Sequence, residues 1–250
     1  MDRRSLLATT AGFLTASSAG CLRLSSEGAE TATPSEAGTG GQTESSSGTS
    51  GNSSGAPMFQ YDAANSGTSP SETGPQSSVD ERWFVETTDG VDAPPVVAGG
   101  TVYVGTEKGD VYALSAEDGT EQWVYETDGE AKMSPAVVDG TLYVGSGDSN
   151  VYALSADDGT EQWVYETGGE VKSSPTVVDG TVYVGSADGE VYALSAADGT
   201  EQWTSVAGSV RSPPAVVDGT VYVGSTDGEV YALSGDDGSE RWSSETGSAI

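Results

Sequence analysis

The sequence predicts an all-β chain, a β-propeller of four-stranded antiparallel blades, and three observations carry that expectation. A unit of about 40 residues recurs almost verbatim four times. Its YVG tyrosines fall at Tyr103, Tyr143, Tyr183 and Tyr222, its VYALS tyrosines at Tyr112, Tyr152, Tyr192 and Tyr231, and tryptophans mark the same phase at Trp83, Trp123, Trp163, Trp203 and Trp242. Each unit holds four short strand-type runs separated by turn signals. No segment carries the 3.6-residue period of a helix.

The second unit shows the logic of each element. Its predicted strands are Pro135 to Val138, Thr141 to Ser146, Val151 to Ser155 and Glu161 to Thr167. Asp139-Gly140 joins the first two, and Asp-Gly between apolar runs signals a type I′ hairpin, which needs positive φ at both central residues. Asp148 to Asn150 joins the second and third runs, and Asp157-Asp158-Gly159 the third and fourth. Every connection is of hairpin length, so consecutive strands are antiparallel neighbours. The two inner strands, TLYVGS and VYALS, are apolar on both faces, as a sheet sandwiched between neighbours requires. A WD40-type blade would show Trp-Asp and Gly-His pairs, and this chain has no histidine.

ALSADDGTEQW resembles the tryptophan-docking motif A-x-D-x-x-T-G-x-x-x-W of pyrroloquinoline-quinone-type (PQQ-type, quinoprotein-like) propellers. The matching positions are Ala113, Gly119 and Trp123; Ala153, Gly159 and Trp163; Ala193, Gly199 and Trp203; and Ala232, Gly238 and Trp242. Two positions depart from it. The motif aspartate is serine here (Ser115, Ser155, Ser195, Ser234), and the motif threonine is aspartate (Asp118, Asp158, Asp198, Asp237). The resemblance implies that each indole, Trp83 included, packs between adjacent blades over the Ala-to-Gly turn. Burying ~200 Å² per indole would stabilise a junction by at most ~5 kcal/mol.

In chain order, residues 1–21 read as a targeting segment. Arg3-Arg4 ahead of a weakly apolar run suggest twin-arginine (Tat) export. Gly20-Cys21 resembles a lipobox, although Ser18 stands where leucine is usual, and it makes Cys21 the expected lipidation site. The apolar run is too short and too rich in Ser and Thr for the ~20 residues a membrane span needs. Cys21 is the only cysteine, so no internal disulfide can form. Residues 22–57 are a Ser/Thr/Gly/Glu-rich stretch that reads as a disordered tether. Asn52-Ser53-Ser54 in it is a glycosylation sequon and equally a chance triplet. The propeller is expected over residues 58–250, with Asp80 to Thr87 as a lone fourth strand carrying Trp83. Four blades turn through only half of an eight-bladed ring. A fragment, two copies completing one ring, and an unusually small closed propeller are the open readings, preferred in that order.

The chain carries 39 Asp and Glu against 9 Lys and Arg, a net charge of −30. Such a surface suits very high salt, where a ~3 Å Debye length at 1 M screens self-repulsion, and the pattern resembles that of halophilic archaea. It argues against nucleic acid or anionic headgroups as partners, so contact with the membrane is expected only through the lipid anchor.

Candidate chemistry is sparse. The acidic turns Asp148-Ser149-Asn150, Asp188-Gly189-Glu190 and Asp227-Gly228-Glu229 lack the ligand series of a calcium cage and are explained by hairpin geometry. Without histidine there is neither an imidazole base nor a histidine metal ligand. The serines lack a nucleophile elbow. No catalytic, cofactor-binding or metal residue is assigned. The resemblance does raise a PQQ-dependent dehydrogenase, in which the quinone sits on the central axis with calcium, commonly clamped by a disulfide between adjacent cysteines. One cysteine cannot supply that clamp, and four near-identical repeats contain no residue that breaks the pattern as an active site would. The preferred expectation is a non-catalytic scaffold, like the BamB-type lipoproteins of the family. It would be exported, held at the outer face of the cell membrane by Cys21, and would bind an unknown protein or polymer. A PQQ-dependent dehydrogenase and a polysaccharide-binding propeller are the alternatives.

Overall fold

The computed structural model describes residues 80–87 and 89–248. Arg3, Arg4, Cys21, Asn52, the tether and the start of the predicted propeller segment lie outside the described residues. Among the described residues sixteen strands form four antiparallel sheets, each a simple meander. Blade 1 comprises β1 (Val96–Ala98), β2 (Thr101–Gly105), β3 (Asp110–Ser115) and β4 (Glu121–Glu126). Blade 2 comprises β5 (Ala136–Val138), β6 (Thr141–Gly145), β7 (Asn150–Ser155) and β8 (Glu161–Glu166). Blade 3 comprises β9 (Thr176–Val178), β10 (Thr181–Gly185), β11 (Glu190–Ser195) and β12 (Glu201–Val206). Blade 4 comprises β13 (Ala215–Val217), β14 (Thr220–Gly224), β15 (Glu229–Ser234) and β16 (Glu240–Glu245). The predicted strands of the second unit differ from these by a residue at their ends.

Local chemistry sets each turn. Asp139 and Gly140 both have positive φ (49° and 79°), the backbone of a type I′ hairpin. The third and fourth strands of each blade slip register once, between Ala153 and Leu154 in blade 2 and at the matching position in the others. This bulge lets Trp163 pair directly with Ala153.

Blades pack face to face. Val96, Ala98, Tyr103, Val111 and Trp123 of blade 1 share one core with Leu142, Val144, Tyr152 and Leu154 of blade 2. The same residue types recur between blades 2 and 3 and between blades 3 and 4. The segment linking one blade to the next lies between two second-to-third-strand loops. Ala131 N–H donates to Thr106 O (3.0 Å) on one side, and Gly147 N–H donates to Glu130 O (2.9 Å) on the other. Gly145 ends β6 because a Cβ there would press into Val171 of the passing linker, 2.6 Å from its Cγ1.

Two expectations need correction. Asp80 to Thr87 is not a strand, because among the described residues no third strand lies beside it to complete a ladder. The reading of a small propeller closed on itself is also overturned. Closure would bury the blade 4 tryptophan against blade 1, yet Trp242 is 47% exposed.

Candidate functional site

The sequence-predicted positions meet at the blade junctions. Trp123 Nε1 donates to Ala156 O (3.1 Å), Trp163 Nε1 to Ala196 O (3.0 Å) and Trp203 Nε1 to Gly235 O (2.9 Å). Each indole therefore docks on the turn of the following unit. Gly159, Gly199 and Gly238 lie beneath these rings at positive φ, and a Cβ at any of them would come within 2.6–2.7 Å of the indole. Trp83 docks likewise on blade 1, through Ala116 O (3.1 Å) and against Gly119. Ala113, Ala153, Ala193 and Ala232 are fully buried and pair across the sheet with their own unit's tryptophan. Trp242 alone of the five docks on nothing among the described residues.

The YVG tyrosine supplies a second donor, a role the motif does not announce. Tyr103 Oη donates to Ala156 O (3.0 Å) and Tyr143 Oη to Ala196 O (3.1 Å), the carbonyls that also accept the indole N–H. Burial pushes the Tyr103, Tyr143 and Tyr183 phenols above their ordinary pKa.

The two departures from the docking motif complement each other. Asp118 accepts from Thr120 N–H (3.1 Å), and that bond, then the Ser115 hydroxyl, holds its carboxyl below the ordinary value. In Asp198 the Ser195 hydroxyl is the leading cause. Where the family motif has an acceptor aspartate followed by a donor threonine, this chain has a donor serine followed by an acceptor aspartate.

A row of tyrosine–carboxylate pairs lies toward the outer edge of the blades. Asp148 Oδ1 accepts from Asn150 N–H (2.9 Å), while Oδ2 accepts from Tyr152 Oη (2.7 Å) and from Asp128 N–H (3.0 Å). Asp188 with Tyr192 and Asp227 with Tyr231 repeat the pair at 2.6 and 2.9 Å. Tyr125 Oη donates across the junction to Glu161 (2.6 Å), and Tyr165 donates to Glu201. Tyr125 stands edge-on to Tyr152, with ring centroids 5.6 Å apart. Desolvation, then the accepting carboxylate, raises the pKa of Tyr125, Tyr152, Tyr165 and Tyr192. For Tyr231 the Glu229 carboxylate leads. The repeated Asp-x-x-x-Tyr spacing was the available signal for these pairs. The turn aspartates thus spend their oxygens on the protein's own donors.

Clefts open between blades beside the docking turns. One of about 320 Å³ is lined by Thr101, Tyr103 and Gln122 of blade 1 and by Asp139, Gly140 and Asp157 of blade 2. A second of about 510 Å³ repeats it with Thr181, Tyr183, Gln202, Asp218, Gly219 and Asp236. Their likeness marks them as products of the repeat. The lysines are held in pairs: Lys108 with Asp89 (3.3 Å), Lys132 with Glu107 (3.4 Å) and Glu130 (3.1 Å), and Lys172 with Glu170.

Two overlapping stretches, residues 74–170 and 129–249, match the family described as outer membrane protein assembly factor BamB. The chain belongs to that family. BamB from Moraxella catarrhalis is similar in structure, with a TM-score of 0.54 and 23% identity over 63% of this chain and 54% of that one. The quinohemoprotein alcohol dehydrogenase of Comamonas testosteroni aligns with a TM-score of 0.66 and 20% identity, over 76% of this chain and 41% of that one. The computationally designed Ika4 protein aligns with a TM-score of 0.56 and 16% identity, over 63% of this chain and 99% of that one. At these identities the likeness is one of fold. The chain spans about half the length of the BamB structure. No curated protein matches it. Among the described residues no three Asp, Glu, His or Cys side chains converge as calcium ligands, and a single cysteine cannot form the clamping disulfide.

Proposed function

We propose that this protein is a non-catalytic, membrane-anchored extracytoplasmic scaffold whose blades bind a protein partner. One observation carries this reading: the functional groups of the repeat are engaged within the fold. The indole and phenol donors share one carbonyl at each junction, the turn carboxylates accept from tyrosine and backbone, and the lysines sit in ion pairs. Membership of the BamB family supports a role in association. Arg3, Arg4 and Cys21 support export and lipid anchoring, and the net charge of −30 supports function in concentrated salt. The likeness to the Comamonas enzyme keeps a quinoprotein as the second reading, and a polysaccharide ligand is a third outcome of the same test.

The test has two parts. Mass spectrometry of the native protein is expected to find a lipid-modified Cys21, and Cys21→Ser is expected to release the protein from the membrane fraction. Titration with PQQ and calcium, followed by tryptophan emission and by dye-linked alcohol oxidation, is expected to show neither binding nor turnover. Saturable PQQ binding with oxidation would overturn the scaffold reading, and a glycan-array signal would redirect it.

A further inference from the structure

The two junction clefts share a plan and differ in what lines them. In the cleft between blades 3 and 4, Val178, Asp179 and Gly235 stand where the cleft between blades 1 and 2 has Ala98, Gly99 and Ala156. The former carries three carboxylates, Asp179, Asp218 and Asp236, where the latter carries Asp139 and Asp157, and it opens to about 510 Å³ against about 320 Å³. Among the described residues no Lys or Arg lines either cleft. The glycine also leaves a mark on the cleft wall. Tyr183 is 6% exposed, yet its hydroxyl reaches Gly235 O only at 3.5 Å, beyond the ordinary O–H···O range, whereas Tyr103 and Tyr143 reach Ala156 O and Ala196 O at 3.0 and 3.1 Å. The Gly235 carbonyl is already taken by Trp203 Nε1 at 2.9 Å. A Cβ on Gly235 would stand 3.5 Å from the Tyr183 hydroxyl, so the space left by the absent methyl lies beside that group. A nearly buried phenol is thus turned to the cleft without a close carbonyl. Burial first, and then the charges of Asp179 and Asp236, raise its pKa, which shows that both carboxylates act on it.

We propose that the cleft between blades 3 and 4 is a binding site for a free aliphatic polyamine. Its carboxylates do not converge as a metal cage does, since among the described residues no three Asp, Glu, His or Cys side chains could hold one ion. Negative charge spread along a cleft fits cationic groups spaced along a chain. Each ammonium donates to one of Asp179, Asp218 and Asp236, the methylenes between them lie against Val178 and Val216, and the Tyr183 oxygen accepts a further N–H. Contacts partly enclosed between two blades are screened by salt less than those on the open surface. The site is independent of the scaffold role proposed above.

Calorimetric titration of the full chain with spermidine, at one fixed KCl concentration, tests it. A saturable site is expected above the diffuse attraction that a net charge of −30 gives any polycation. Triethylene glycol, a linear uncharged probe, is expected not to bind. Asp218→Asn with Asp236→Asn is expected to weaken spermidine ~25-fold, about 5-fold for each exposed ion pair removed. Asparagine keeps the left-handed turn at Asp218, where φ is 48°. The matched double variant Asp139→Asn, Asp157→Asn removes the same charge from the other cleft and is expected to leave the affinity nearly unchanged. Gly235→Ala supplies the methyl that Ala156 and Ala196 carry at this place, and it is expected to weaken binding while far-ultraviolet circular dichroism stays unchanged. Should that variant fail to fold, the two aspartate pairs decide the matter. The proposal is overturned by the absence of saturable binding, by equal binding of the glycol, by equal losses in the two double variants, or by a folded Gly235→Ala that binds as well as the parent.

Discussion

Trp163 and Trp242 occupy the same position in their repeats, face a tyrosine at nearly the same distance and tilt, and pair with equivalent alanines, Ala153 and Ala232, across the sheet. One is 8% exposed and the other 47%. The geometry of the aromatic pair is therefore made inside each blade, by the bulge and the small alanine, and needs no neighbour. Burial, the carbonyl that accepts from both the indole and the phenol, and the glycine beneath the ring all come from the following blade. Shape is local and stability is shared, as in other arrays whose repeats contact only their neighbours.

Substitution at the two positions separates these contributions most widely. Trp163→Ala is expected to cost about 3–5 kcal/mol in urea unfolding, since it empties a filled site and removes one of the two donors to the Ala196 carbonyl. Trp242→Ala in the dilute monomer is expected to cost less than ~1 kcal/mol. Equal losses would show that burial is not what distinguishes them. Next come the glycines. Gly159→Ala places a Cβ 2.7 Å from the Trp123 ring at a φ of +73°, and a loss of about 3 kcal/mol is expected from overpacking and backbone strain together. Gly140→Ala has a similar φ of +79° but open space around it, so ~1 kcal/mol is expected, from strain alone.

The junctions also differ in their response to pH. Blades 1–2 and 2–3 are bridged by Tyr125 and Tyr165, whereas Ser205 stands at that place between blades 3 and 4. Phenols with a raised folded pKa contribute stability that is fully present below the unfolded value, about 10, and is lost as pH rises through the folded one. Thermal melts at fixed salt are therefore expected to fall above about pH 10. The fall is expected to be shallower in the Tyr125→Phe, Tyr165→Phe double variant; an identical slope would place the sensitive phenols elsewhere. The smallest effect concerns one turn. Ser149 holds a φ of +75° where the other three blades have Gly109, Gly189 and Gly228. Ser149→Gly is expected to raise stability by up to ~1 kcal/mol, less the entropy glycine brings to the unfolded chain, and an unchanged urea midpoint would mean the two cancel.

Strand runs, hairpin turns and the docking residues were legible because each rests on a short-range rule repeated four times: Asp-Gly for the turn, alternating apolar residues for the sheet, Ala, Gly and Trp for the junction. Which glycine receives which tryptophan was not legible, because Trp123 meets Gly159 across a blade boundary that spacing alone does not orient. Nor was the failure of residues 80–87 to pair, since RWFV has strand propensity and only a neighbouring ladder decides its state. Tyr152 reads as a core residue in VYALS, and its bond to Asp148 appears only when the loop places the carboxylate four residues back. The candidate site was least legible for the same reason, since its hydrogen bonds run from one blade to the next.

The docking of each indole on a turn that comes later in the chain also has a consequence in time. As the polypeptide emerges from the ribosome, Trp123 cannot be covered until Gly159 has been made, and Trp163 must wait for Gly199. A newly finished blade in this stretch therefore waits about one repeat of synthesis with its indole still bare. The nascent chain carries one adhesive end that moves forward blade by blade.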